Sequence, residues 1–204
     1  MLRRFLLVLL LVLSSVPLGA ADIARPVVVL GDSLSAAYGI PAQSGWVNLL
    51  HVQLGKSASP REVINASISG ETTAGGLARL EKLLDDNKPA VIVLELGAND
   101  ALRGLPLSAP RANLTRMIEL SRAAGAKILL VGIEIPVNYG PQYRDGLRSM
   151  YRDLADEFNV PLVPFLLEGI ALDESLMQAD GLHPTAAAQP RVLENVLPAL
   201  EKLF

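Results

Sequence analysis

Five short apolar runs recur along the chain, and the segments between them carry apolar residues at helical spacing. Val27-Val28-Val29-Leu30, Val63-Ile64-Asn65-Ala66, Val91 to Leu96, Lys127 to Ile133 and Pro161-Leu162-Val163 read as strands. Their apolar positions are continuous rather than alternating, which is the pattern of strands covered on both faces. Trp46, Leu49, Leu50 and Leu54 share one helical face; so do Leu77, Leu80 and Leu84, and Leu114, Met117 and Ile118. The clearest face joins Tyr143, Leu147, Met150, Tyr151, Leu154 and Phe158. A last helix is predicted over roughly Thr185 to Leu203, with Pro190 imposing a kink or a late start. Strands alternating with helices predict a three-layer α/β/α domain with a doubly wound sheet and right-handed crossovers. No linker, repeat or low-complexity stretch interrupts residues 22–204, which read as a single domain.

The N-terminus departs from this pattern. Arg3 and Arg4 precede an unbroken apolar run from Phe5 to Leu13, broken by Ser14, Ser15 and Pro17 and ending in Gly19-Ala20-Ala21. This is the layout of a secretory signal peptide, residues 1–21, with the cut expected between Ala21 and Asp22. The apolar run is short of the ~20 residues that span a bilayer, so no stable membrane anchor is expected after cleavage. The destination is the periplasm or the exterior.

Composition removes several classes of function. Half the residues are hydrophobic and 19% are charged, which excludes a disordered chain. The net charge is −3, without the basic excess of a polyanion binder, so no nucleic-acid partner is expected. The chain has no cysteine, which excludes disulfides, thiolate metal sites and a cysteine nucleophile. Its only histidines are His51 and His183, too few for a histidine-rich metal centre, and no metal is expected. His51 sits on a predicted helix and reads as a surface or packing residue.

In a doubly wound sheet the ligand crevice lies beyond the carboxyl ends of the strands, so the loops after each strand hold the candidate chemistry. Gly31-Asp32-Ser33-Leu34-Ser35 follows the first strand and offers a serine hydroxyl, which could equally cap a helix. Gly70 follows the second, just before a helical pattern, where its N–H is unshielded and near a positive helix end; alone it reads as a turn glycine. Asn99 follows the third, an amide donor or a simple turn residue. Asp180 and His183 follow the fifth, spaced so that the carboxylate reaches Nδ1 and leaves Nε2 aimed at the crevice. Each signal is weak alone. Together they supply a nucleophile, two oxyanion donors and an Asp–His base at one sheet edge, the components of acyl transfer.

The same residues carry a family resemblance. Gly31-Asp32-Ser33-Leu34-Ser35 resembles the first block of the GDSL, or SGNH, hydrolases, and Ser33, Gly70, Asn99 and His183 match that family's four defining positions in order. Asp180 matches the acid of its Asp-x-x-His block. Asn65-Ala66-Ser67-Ile68-Ser69-Gly70, Gly97-Ala98-Asn99-Asp100 and Asn138-Tyr139-Gly140 are similar to the bacterial periplasmic branch described as thioesterase I, lysophospholipase and arylesterase. The resemblance implies a flavodoxin-like sheet of order 2-1-3-4-5, no cofactor, and a catalytic set of Ser33, Asp180 and His183. It also implies an oxyanion hole formed by Ser33, Gly70 and Asn99. Ala98 departs from the pattern, where glycine often stands; its methyl is harmless if it points away from the site.

The acyl site is expected in the loops after the third and fourth strands. Leu102, Leu105, Leu107 and Pro110 follow Asn99 in an apolar loop, and Ile135, Pro136, Val137, Asn138 and Tyr139 follow the fourth strand. They form an apolar trough or simply pack their loops. Asp32 either orients the serine loop or bonds local N–H groups, the second being the preferred reading, and Glu95, inside an apolar strand, is read as a buried structural residue that needs partners. The expected substrate is a medium- or long-chain acyl ester or thioester, with lysophospholipid as one form, acted on by a monomer. The alternatives are a carbohydrate or cell-wall deacetylase using the same apparatus and a non-catalytic periplasmic binding module.

Overall fold

The computed structural model describes residues 24–204; the expected signal peptide lies outside the described residues. Five parallel strands, β1 (Val27–Gly31), β2 (Val63–Asn65), β3 (Val91–Glu95), β4 (Lys127–Val131) and β5 (Leu162–Val163), form one sheet in the order 2-1-3-4-5. Val28 pairs with Ile64 on one side and Ile92 on the other, and Leu94 pairs with Leu130. Several strands end earlier than their apolar runs. Ala66 and Gly132 still donate to Val29 O and Val163 O, at 2.8 and 2.7 Å, but the chain then leaves the ladder to build the loops of the crevice.

Alternate strand residues feed two separate cores. Val27, Val29, Val91, Val93, Leu129 and Val131 pack on one face against α1 (Trp46–Gly55) and α6 (Gln189–Glu201). Val28, Leu30, Ile92, Leu94, Ile128 and Leu130 pack on the other against α2 (Thr73–Asn87), α4 (Ser108–Ala123) and α5 (Pro141–Phe158). Every residue of β1 and β3 is buried, which is why their sequences lack alternation. Full burial of one Val, Leu or Ile side chain contributes about 1.5–3 kcal/mol, so this sandwich is a rigid base for the loops above it.

The structure corrects the pattern reading after β3 and decides it at the last helix. The stretch after β3 is not an open loop: Ala98–Leu102 forms a short helix, α3, and α4 begins at Ser108. Pro110 therefore lies in the first turn of α4, where its missing N–H costs no helical hydrogen bond. The last helix starts late, as Pro190 demands: Ala186–Ala188 is a 3-10 turn and α6 proper opens at Gln189. Pro198, deep inside α6, is tolerated there although it removes one backbone bond.

Candidate active site

Ser33 stands two residues beyond β1, where the chain turns closely over β3. Gly31 makes this approach possible, because a Cβ there would lie 2.5 Å from Glu95 Oε2 and 2.9 Å from Ser35 Oγ. The turn carries Ser33 Oγ to 2.8 Å from His183 Nε2. On the far side of the imidazole, Nδ1 lies 2.7 Å from Asp180 Oδ2. The second oxygen, Asp180 Oδ1, accepts the N–H groups of Leu182 at 2.9 Å and His183 at 3.0 Å. Desolvation works to raise the Asp180 pKa but is outweighed by those N–H groups and the imidazole, which hold the carboxyl down at about 2. An ionised carboxylate accepts, so Nδ1 carries the proton and Nε2 is left to accept from the Ser33 hydroxyl.

The opposite flank of Ser33 is a set of donors. Gly70 lies in an exposed turn just before α2, with φ of +81°. Ile68 N–H donates to Gly31 O at 3.0 Å and Glu71 N–H to Ile68 O at 3.1 Å, which pins this turn to the end of β1. Among the described residues, the N–H groups of Ser33 and Gly70 donate to no protein acceptor. Asn99, in the first turn of α3, is engaged: its Nδ2 donates to Asp32 Oδ2 and to Glu71 O, both at 3.0 Å. Its neighbour Asp100 accepts from Thr73 N–H at 2.8 Å and Thr73 Oγ1 at 2.6 Å, locking α3 to the start of α2. The Ala98 methyl is buried in the α1–α6 core.

Two buried carboxyls underlie these donors. Asp32 Oδ1 accepts from Leu34 N–H at 3.0 Å, the local bond expected from sequence, while Oδ2 reaches across to Asn99. Glu95 Oε2 accepts from Ser35 Oγ at 2.6 Å and from Asp32 N–H at 3.3 Å; Glu95 Oε1 has no partner. Burial pushes Asp32 up to about 6, against the pull of Leu34 N–H, His183 and Asn99. Burial, reinforced by the charge of Asp32, pushes Glu95 well above its ordinary value. Glu95 thus has the structural partners its position required on Oε2 and lacks one on Oε1.

The residues read as an acyl trough divide between two places. Ile135 and Pro136, with Val137, Phe165, Met177 and Leu182, line a cavity of about 600 Å³ that abuts the Asp180–His183 turn. Glu134, Arg144 and Arg148 complete its wall, where Glu134 accepts from Arg148 Nε at 2.7 Å and Nη2 at 2.6 Å. Leu102, Leu107 and Tyr139 are half-buried against the α2–α4–α5 core, and Tyr139 OH donates to Leu102 O at 2.8 Å. Leu105 is 37% exposed, and Asn138 is exposed. His51 is exposed on α1, its Nδ1 accepting from Val63 N–H at 3.3 Å. Two neighbours of the triad carried no sequence signal: Tyr38, whose ring centroid lies 4.5 Å from that of His183, and Gln178, on the histidine loop.

Comparison with known proteins agrees with this geometry. Residues 29–190 match the GDSL-like Lipase/Acylhydrolase family. Esterase TesA of Pseudomonas aeruginosa is 50% identical over 181 residues, covering 89% of this chain and 90% of the relative. Thioesterase 1/protease 1/lysophospholipase L1 of Escherichia coli (strain K12) is 41% identical over 195 residues, covering 96% and 91%. Among solved structures, the psychrotrophic esterase EstA from Pseudoalteromonas sp., inhibited by monoethylphosphonate, superposes with a TM-score of 0.83 at 42% identity, covering 87% of this chain and 97% of the other.

Proposed function

The chain belongs to the GDSL-like lipase/acylhydrolase family, and from that membership we propose that it is a serine hydrolase acting on carboxylic esters and thioesters through an acyl-enzyme on Ser33. The observation that carries the reading is the unbroken relay from Ser33 Oγ through His183 to Asp180, at 2.8 and 2.7 Å. His183 Nε2 takes the hydroxyl proton as Oγ attacks the acyl carbon. Asp180 stabilises the imidazolium and keeps its ring in place. The N–H groups of Ser33 and Gly70 receive the oxyanion, and Asn99 Nδ2 joins them by exchanging one of its bonds, to Glu71 O or Asp32 Oδ2, for one to the oxyanion. His183 then returns its proton to the departing alcohol or thiol, and water repeats the cycle on the acyl-enzyme.

The cavity of about 600 Å³ beside the Asp180–His183 turn, lined by Ile135, Pro136, Phe165 and Met177, is large enough for an acyl chain much longer than acetyl, which supports this reading over a deacetylase. Lysophospholipids fit the same description, as esters of long acyl chains. In this reading residues 22–204 form the single catalytic domain, a monomer released to the periplasm or exterior after loss of residues 1–21.

A fluorophosphonate probe should label the protein once, and mass spectrometry should place the adduct on Ser33. A protein that stays unlabelled while hydrolysing p-nitrophenyl esters would overturn the mechanism. A sharp optimum at acetate across a p-nitrophenyl ester series would transfer the assignment to a deacetylase.

A further inference from the structure

The nucleophile and its base sit on segments 150 residues apart, and neither is part of a helix or strand. Leu34 to Gly39 is an irregular turn with two positive φ angles, 59° at Ala37 and 71° at Gly39. The first of these is a conformation that a residue with a Cβ adopts only under constraint. Ser33 O accepts from Tyr38 N–H at 3.2 Å, which closes the turn on the nucleophile itself. The carbonyl of Tyr38 is held from the other side: Gln178 Nε2 donates to Tyr38 O at 2.9 Å and to Pro184 O at 3.0 Å. Gln178 N–H also donates to His183 O at 2.7 Å. One residue thus grips the two successive carbonyls of His183 and Pro184 and the carbonyl of Tyr38, the residue whose N–H closes the serine turn. Gly39 is fitted to the same contact, since a Cβ there would overlap Gln178 Oε1. Tyr38 itself is 51% exposed, so burial does not hold this turn; its ring lies against the imidazole at an interplanar angle of 39°.

We propose that Gln178 is a positioning residue for the Ser33–His183 pair, clamping the serine turn onto the histidine loop through the Tyr38 and Pro184 carbonyls. The proposal rests on Ser33 and His183 being the reacting pair. Both amide hydrogens of Gln178 are used, so the role needs a side chain of this length with two donors. A methionine has the length and no donor. A glutamate has the shape, but its carboxylate would face two carbonyl oxygens with nothing to donate.

The test is Gln178→Met and Gln178→Glu, each assayed for kcat, KM and the rate of fluorophosphonate labelling. A misplacement of about 1 Å in a reacting pair can cost ~10²-fold, so kcat and the labelling rate should fall together by roughly 10–100-fold. KM should stay near the wild-type value, and Gln178→Glu should not rescue Gln178→Met. A change confined to the thermal midpoint, with kcat and labelling rate retained in either variant, would overturn the clamp. If one variant fails to fold, the other carries the same comparison. If both do, Gly39→Ala, which displaces Gln178 Oε1 without removing its donors, should lower the labelling rate, and an unchanged rate would overturn the proposal. Absence of label on Ser33 in the wild type would instead defeat the mechanism on which the clamp rests.

Discussion

The two flanks of Ser33 are built on opposite plans. The base side is a surface turn: Asp180 is 39% exposed, and its oxygens are satisfied by residues within three positions of it. The donor side rests on two buried carboxyls, Asp32 and Glu95, which with half-buried Asn99 tie β1, β3, the turn before α2 and α3 together. One carboxyl is held at about 2 by hydrogen bonds despite some desolvation, and another is pushed to about 6 by burial. The contrast suits the work proposed for each side. A general base must keep its partner charged and stay open to a moving proton. An oxyanion site gains most from dipoles that do not move, and rigid burial supplies that.

The comparison breaks most visibly on the base side. Ser33→Ala and His183→Ala should each lower kcat by ~10⁶, and the double variant should cost little more, because the pair works as one unit. Additive losses in the double variant would mean that the two residues act separately.

Asn99→Ala should cost less, ~10²–10³ in kcat with KM little changed. This variant also strands the buried Asp32 Oδ2, so it should lower stability by about 1–3 kcal/mol in urea unfolding. A loss of activity with no loss of stability would mean that the Asp32–Asn99 contact contributes nothing to the fold.

The smallest effect separates the flanks by pH. Asp180 is lowered from 3.8 to about 2, so what it adds to stability stands above pH 3.8 and is lost as pH falls through about 2. Asp32 is raised from 3.8 to about 6, so the folded state holds a proton that the unfolded state releases. Its favourable share is complete below pH 3.8 and is lost as pH rises through about 6. Asp32→Asn removes the group that titrates and should flatten this decline between pH 4 and 6, read from urea midpoints. A slope identical to wild type would mean that Asp32 is not the source of the decline.

Much of this was legible in the sequence because its signals are local. Val27 to Leu30 and Val91 to Leu94 announce buried strands by composition alone, and the spacing of Asp180 and His183 already fits the turn they form. Contacts between distant segments left no such trace. Nothing in Gly39 or Gln178 indicates that they meet across 139 residues, and nothing in Asp32 indicates that it holds Asn99. The helix α3 escaped notice because Ala98–Leu102 is one turn long, too short for any period to show. The acyl trough rests on apolarity, which does not distinguish Ile135, a core residue that also lines a cavity, from Leu102 and Leu107, which only pack against that core.

The histidine loop closes on itself: Met177 bridges Pro184, and Asp180 and His183 bond within that span. Such a hairpin brings its own proton relay wherever it is docked. The exposed stretch from Leu172 to Ser175 is therefore the part that can gain or lose residues, and so remodel the cavity that Leu172 lines, while the chemistry beyond it keeps its shape. In this fold, appetite for a new substrate and fidelity of the reaction are entrusted to different lengths of the same loop.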